Sequence, residues 1–175
     1  MNIMDIHQSM VDRKITPLDL VNETLRKIKA KASEYNVFIT VSETEAIEHA
    51  KTLEQELIDG KVRGLLHWIP IAIKDLIDTK GIRTTMRSKL YEDFVLTTDA
   101  TIINKLKQAG AIIIGKANTH EFAYGPTGDR SYFGACRNPY HTGKISWGSS
   151  SGSAVAVAAQ LVPASIGTDT GGSVR

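Results

Sequence analysis

The chain has 175 residues, 42% hydrophobic and 23% charged, a soluble globular composition with room for one substantial core. Its formal net charge of +2 is too small to argue for nucleic acid or an anionic membrane surface as a partner. Cys136 is the single cysteine, so no disulfide closes within the chain, and Met1–Met10 carries no signal-peptide pattern; the expected location is the cytoplasm.

In chain order, Thr16-Pro17 reads as a helix cap followed by proline at the first helical position. Leu18, Val21, Leu25 and Ile28 recur at helical spacing, which predicts a helix to about Ala32. Phe38–Val41 is a strand candidate. Ser42 to Glu45 reads as a capping box, and Ala46, Ala50, Leu53 and Leu57 form one face of a second helix, stopped by Gly60. The charges between them, such as Glu48, Lys51 and Glu54, read as a solvated face. Nothing catalytic is legible before residue 61.

From Gly64 the texture changes. Leu65 to Ile73 is a strand-like apolar run, with Pro70 within it, and Asp75 to Ser88 is a polar loop. Asp99 is placed to cap a helix through Ile102, Ile103 and Leu106, closed by Gly110. Ala111–Ile114 follows at once, and an unbroken apolar run there predicts a strand buried on both faces, as in a parallel sheet. Lys116 to Lys144 is a long irregular segment of the kind that carries function. Ser153 to Leu161 is a small-residue helix, and Ala164–Ile166 a short strand leading into a final glycine-rich loop. Alternating strands and helices give an α/β fold with an at least partly parallel sheet.

Several site-like patterns have simpler readings. Gly110 to Lys116 has phosphate-loop spacing, but Ala-Ile-Ile-Ile fills the gap as a strand and Ala117 stands where a magnesium-binding hydroxyl belongs. His120-Glu121 starts a zinc-protease pattern that Tyr124 breaks, so a loop hydrogen-bond network is the simpler reading. Cys136, near His141, reads as a packed small residue. Gly148-Ser149-Ser150-Ser151-Gly152 matches the nucleophile elbow, yet no histidine follows to complete its triad. A lysine base is the alternative: Lys74 ends the apolar run Ile69–Ile73. Gly171-Gly172 precedes Ser173, and adjacent glycines can turn backbone N–H groups toward one oxyanion. On the residues alone, a serine hydrolase and a flexible Gly/Ser linker both stay open.

The combination of motifs resembles the amidase signature family, within it the amidases related to the A subunit of glutamyl-tRNA(Gln) amidotransferase. The residues that carry the resemblance are Ile71-Ala72-Ile73-Lys74-Asp75; Gly115-Lys116 with Asn118 and Glu121-Phe122; Asn138-Pro139; Gly148-Ser149-Ser150 with Gly152-Ser153-Ala154; and Gly167 through Arg175. It covers nearly the whole chain, least clearly before residue 17. The resemblance implies an amidase-signature α/β fold with a mixed, partly parallel central sheet flanked by helices. Residues 1–60 would be its helical N-terminal region and 61–175 the α/β core of one amidase domain.

It also implies a Ser-cisSer-Lys triad acting on carbon–nitrogen bonds other than peptide bonds: Ser173 as nucleophile, Ser149 after a cis peptide as relay, and Lys74 as base. The N–H groups of Thr170, Gly171, Gly172 and Ser173 would hold the oxyanion. No metal or organic cofactor is needed, and the implied partner is a small-molecule amide, not nucleic acid or membrane.

Trp147 and Ser151 depart from the glycines usual in the family, and Gln160 stands where glycine often follows the helix. Family members run to several hundred residues. The expectation is therefore an N-terminal portion, prone to self-association where its C-terminal part is missing. An inactive remnant and the A subunit of a tRNA-dependent amidotransferase hydrolysing glutamine are the rival readings.

Overall fold

The computed structural model describes residues 2–130 and 132–175. Five α-helices, α1 (Ile3–Val11), α2 (Pro17–Tyr35), α3 (Glu43–Ile58), α4 (Thr101–Gln108) and α5 (Ser151–Ala158), accompany four strands among these residues. The strands are β1 (Phe38–Val41), β2 (Pro70–Lys74), β3 (Ile112–Ala117) and β4 (Ala164–Ile166). They form one sheet in the order β1-β3-β2-β4. β2 runs parallel to both β3 and β4, whereas β1 is antiparallel to β3. The sheet is therefore mixed, and β1 joins the N-terminal helices to the later core.

Local chemistry explains most boundaries. Thr16 and Asp19 form a reciprocal capping box at the start of α2. The helix runs to Tyr35, beyond the expected Ala32, where Asn36 at φ 49° ends it in the left-handed region that asparagine tolerates. Every residue of β2 and β3 is buried, as the apolar run 111–114 predicts for a central strand. α3 and α5 both pack on β3, and α2 packs on α3.

Several expectations are corrected. The run Leu65–Ile73 is a strand only from Pro70, because Trp68 sits at φ 69°. Its N–H donates to Gly110 O at 2.9 Å and its indole Nε1 to Leu53 O at 3.1 Å. Ser42 makes no side-chain cap; its N–H continues the pairing with β3 by donating to Ile114 O at 2.9 Å. Asp99 is not the cap of α4, which is Ala100; its carboxylate accepts from Lys80 N–H at 2.7 Å and Lys107 Nζ at 2.6 Å. α5 begins at Ser151 and ends at Ala158, two residues before Gln160 at φ 56°. The irregular segment starts after Ala117, since Lys116 and Ala117 belong to β3.

Candidate active site

Lys74 is the last residue of β2 and is fully buried. The parallel strands beside it bring two distant loops to its ammonium group. Its Nζ donates to Ser149 Oγ at 2.6 Å, Ser150 Oγ at 2.9 Å and Thr168 Oγ1 at 2.7 Å. Three hydroxyls thus satisfy the three N–H bonds of one lysine. Burial lowers its pKa from 10.5 to about 8, against a smaller opposing pull from Asp169. Its neutral form is thereby reached at a pH well below that at which a free lysine loses its proton.

Ser149 follows a cis peptide from Gly148. Its carbonyl accepts from Thr119 Oγ1 at 2.8 Å and His120 N–H at 3.0 Å. Gly148 cannot carry a side chain: an added Cβ would lie 2.9 Å from Gly128 N. Ser150, the elbow candidate, is buried and fully engaged, accepting from Lys74 and donating to Thr168 O at 3.0 Å. A hydroxyl so committed is a poor nucleophile for an incoming substrate.

Ser173 is partly exposed and lines a cleft of about 960 Å³ with Phe122, Tyr124, Trp147, Gly148 and Thr170 among its walls. Its main chain reaches the serine loop, since Ser150 N–H donates to Ser173 O at 3.2 Å. Its hydroxyl makes no hydrogen bond among the described residues, so Lys74 and Ser149 are joined while Ser173 meets the serine loop through its main chain alone. The four expected oxyanion donors divide. Gly172 N–H and Ser173 N–H donate to Asp169 Oδ1 at 2.6 and 3.0 Å. Those of Thr170 and Gly171 have no acceptor among the described residues. Arg175 Nε also binds Asp169, at 2.9 Å, and this bond first, then Gly172 N–H, lowers the carboxyl pKa to about 2.

The simpler readings of the other motifs are visible too. Lys116 is buried in hydrogen bonds to Ile77 O, Thr79 Oγ1 and Thr84 Oγ1, not open to a phosphate. His120 Nδ1 accepts from Gly128 N–H at 3.3 Å inside the loop network. Burial raises the Cys136 thiol to about 11, which makes it inert. Among the described residues no group of three or more His, Cys, Asp or Glu side chains gathers as a metal site, and no helix is long and apolar enough to cross a membrane. Sequence reasoning misses Thr168 and Ser150 as partners of Lys74. Thr168 carries a signal, a hydroxyl inside the final glycine-rich motif; Ser150 reads from its motif only as a nucleophile.

A buried lysine meeting a serine loop at the end of a mixed α/β sheet defines this as an amidase-signature fold. The family model for Amidase matches residues 19–175, and the chain belongs to that family. It is 45% identical over 175 residues to the A subunit of glutamyl-tRNA(Gln) amidotransferase from Alkaliphilus metalliredigens, covering 100% of this chain and 36% of that protein. The protein of the same name from Coxiella burnetii is 43% identical over 173 residues, 99% of this chain and 36% of the relative. Among solved structures, the native peptide amidase from Stenotrophomonas maltophilia superposes with a TM-score of 0.94 at 33% identity, over 99% of this chain and 37% of that one. A bacterial aryl acylamidase superposes with a TM-score of 0.95 at 28% identity, over 100% of this chain and 36% of that one. The chain thus spans about a third of the length of the relatives it matches.

Proposed function

We propose that the chain carries the catalytic N-terminal part of an amide-bond hydrolase that works through an acyl-serine. The observation that carries this reading is the 2.6 Å bond from a buried, pKa-lowered Lys74 to Ser149 Oγ, behind Gly148 and Thr168, which line the same cleft as Ser173. Neutral Lys74 takes a proton from Ser149 as Ser149 takes one from Ser173. A lone pair of Ser173 Oγ forms the new bond to the amide carbon while the C=O π pair moves onto oxygen; when that pair re-forms the carbonyl, the C–N bond breaks and its pair leaves with the amine. Thr170 and Gly171 N–H are free to meet that oxyanion. Gly172 and Ser173 N–H join them once they leave Asp169. The charged Lys74 returns its proton through Ser149 to the leaving amine, and water then releases the acid from Ser173.

The test joins residues 1–175 to the remainder of the Alkaliphilus relative and labels the product with a fluorophosphonate. Ser173→Ala should abolish labelling and Ser150→Ala should preserve it. Labelling that falls on Ser150 and spares Ser173 would refute the assignment. Lys74→Ala should lose most of kcat, since Ser149 then has no proton acceptor.

The names of the curated relatives favour a second reading, the A-type component of an amidotransferase that hydrolyses glutamine beside its partner proteins. Ammonia release from glutamine that appears only when those partners are added would select it over a free-standing amidase.

A further inference from the structure

Arg87 lies in the loop after β2, and no motif singles it out. It is completely buried and sits at φ 57°, a left-handed conformation that a long side chain such as arginine rarely adopts. One of its terminal nitrogens, Nη1, donates to both Thr119 O and Gly128 O, the latter at 2.9 Å. Nε and Nη2 have no hydrogen-bond partner among the described residues. A buried cation with unused donors is a net cost to folding, and burial lowers its pKa to about 10. Its place in the hydrogen-bond network gives it a use.

The bonds around Arg87 form a closed circuit. Asp75, directly after Lys74, accepts from Thr85 N–H at 3.1 Å and from Thr85 Oγ1. Thr85 Oγ1 accepts Arg87 N–H at 3.0 Å. The guanidinium then crosses to Thr119 O. Thr119 Oγ1 donates to Ser149 O at 2.8 Å, and Ser149 Oγ accepts from Lys74. The circuit leaves the backbone at Lys74 and returns to its side chain. The 75–88 and 118–128 loops also meet through their main chains, where Phe122 N–H donates to Met86 O at 3.0 Å; Arg87 adds the side-chain tie, to Thr119 O and Gly128 O.

We infer that Arg87 is a positioning residue that sets the distance between Lys74 and Ser149 by clamping the 118–128 loop, on which the Ser149 carbonyl rests. This rests on the proposed roles of Lys74 and Ser149, but the clamp itself is measurable without activity. The chain is compared as wild type, Arg87→Met and Arg87→Lys. Arg87→Met relieves a buried charge with unused donors but leaves Thr119 O and Gly128 O without theirs, two effects of opposite sign, so the variant should unfold in urea close to wild type. Its His120 amide, bonded to Ser149 O, should nevertheless exchange about tenfold faster or more, while the Ile112 amide, bonded to Ile69 O in the sheet, keeps its rate. The Lys74 side chain, followed by carbon-13 resonance, should titrate closer to an ordinary lysine. Arg87→Lys, which keeps a buried donor, should restore part of both. Unchanged His120 exchange and Lys74 titration in folded Arg87→Met would overturn the inference. So would parallel acceleration of His120 and Ile112 with a fall in urea midpoint, which marks a packing residue only. Failure of Ser173 to label would refute the proposed function and leave the His120 readout to decide the clamp.

Discussion

The charge state of Lys74 has a consequence for stability that is separable from catalysis. Folding lowers its pKa from 10.5 to about 8, and burial is the leading cause. At about 1.4 kcal/mol for each pH unit, the folded chain bears roughly 3 kcal/mol against the charged form. Below pH 8 the lysine is charged in both states and that cost is fully present. Between pH 8 and 10.5 the folded form has shed its proton while the unfolded form still holds one. Stability should therefore rise with pH across that window and level off above it.

Many groups titrate there, Lys116 among them, so the comparison is with Lys74→Met, which cancels them. The variant loses three hydrogen bonds and leaves the hydroxyls of Ser149, Ser150 and Thr168 without the lysine, at about 1 kcal/mol each. These losses offset its relief from the buried charge, so at pH 7 the two proteins should differ by no more than about 1 kcal/mol. By pH 10 the wild type should be the more stable by an additional amount of roughly 2–3 kcal/mol. Urea unfolding at pH 7, 8.5 and 10, fitted with a common slope, measures this. A difference that stays flat from pH 7 to 10 would mean that Lys74 is not the buried, pKa-lowered lysine described here, and the base assignment would fall with it.

Three further outcomes are expected. Trp147 is at φ 65° and 54% exposed, so Trp147→Gly should relieve about 1 kcal/mol of backbone strain while removing little packing; a raised thermal midpoint checks it. At Gly152 an added Cβ would collide with Asn118 N and lie 2.7 Å from Val37 O, both backbone atoms, so Gly152→Ala should destabilise by about 1–3 kcal/mol in chemical unfolding; an unchanged midpoint would contradict that packing. Residues 1–175 alone should show no amide turnover, because the Ser173 hydroxyl is unlinked to Ser149 and two oxyanion donors are held by Asp169. A monodisperse monomer that hydrolyses simple amides in a Ser173-dependent way would overturn this.

Much of the architecture follows from the chain read locally. The Thr16-Pro17 cap, the 3.6-residue periodicity of α2 and α3, and the apolar run that becomes β3 are all properties of a few neighbouring residues. The motif spelling singles out Lys74, Ser149 and Ser173. Where local reading fails, a distant contact has won: Asp99 leaves its cap for Lys80 and Lys107, and Trp68 breaks its run to reach Leu53 and Gly110. The site itself belongs to this second kind. Lys74 meets Ser149, Ser150 and Thr168 across 75, 76 and 94 residues of chain, the circuit through Arg87 links loops 32 and 41 residues apart, and Asp169 competes for donors only because the final loop folds back on itself. A sequence records which groups can donate or accept. Which of them meet, and how far burial shifts their charge, depends on the parallel register of β2 between β3 and β4, which brings the loops to one end of the sheet, where Lys74 and Ser149 are wholly buried.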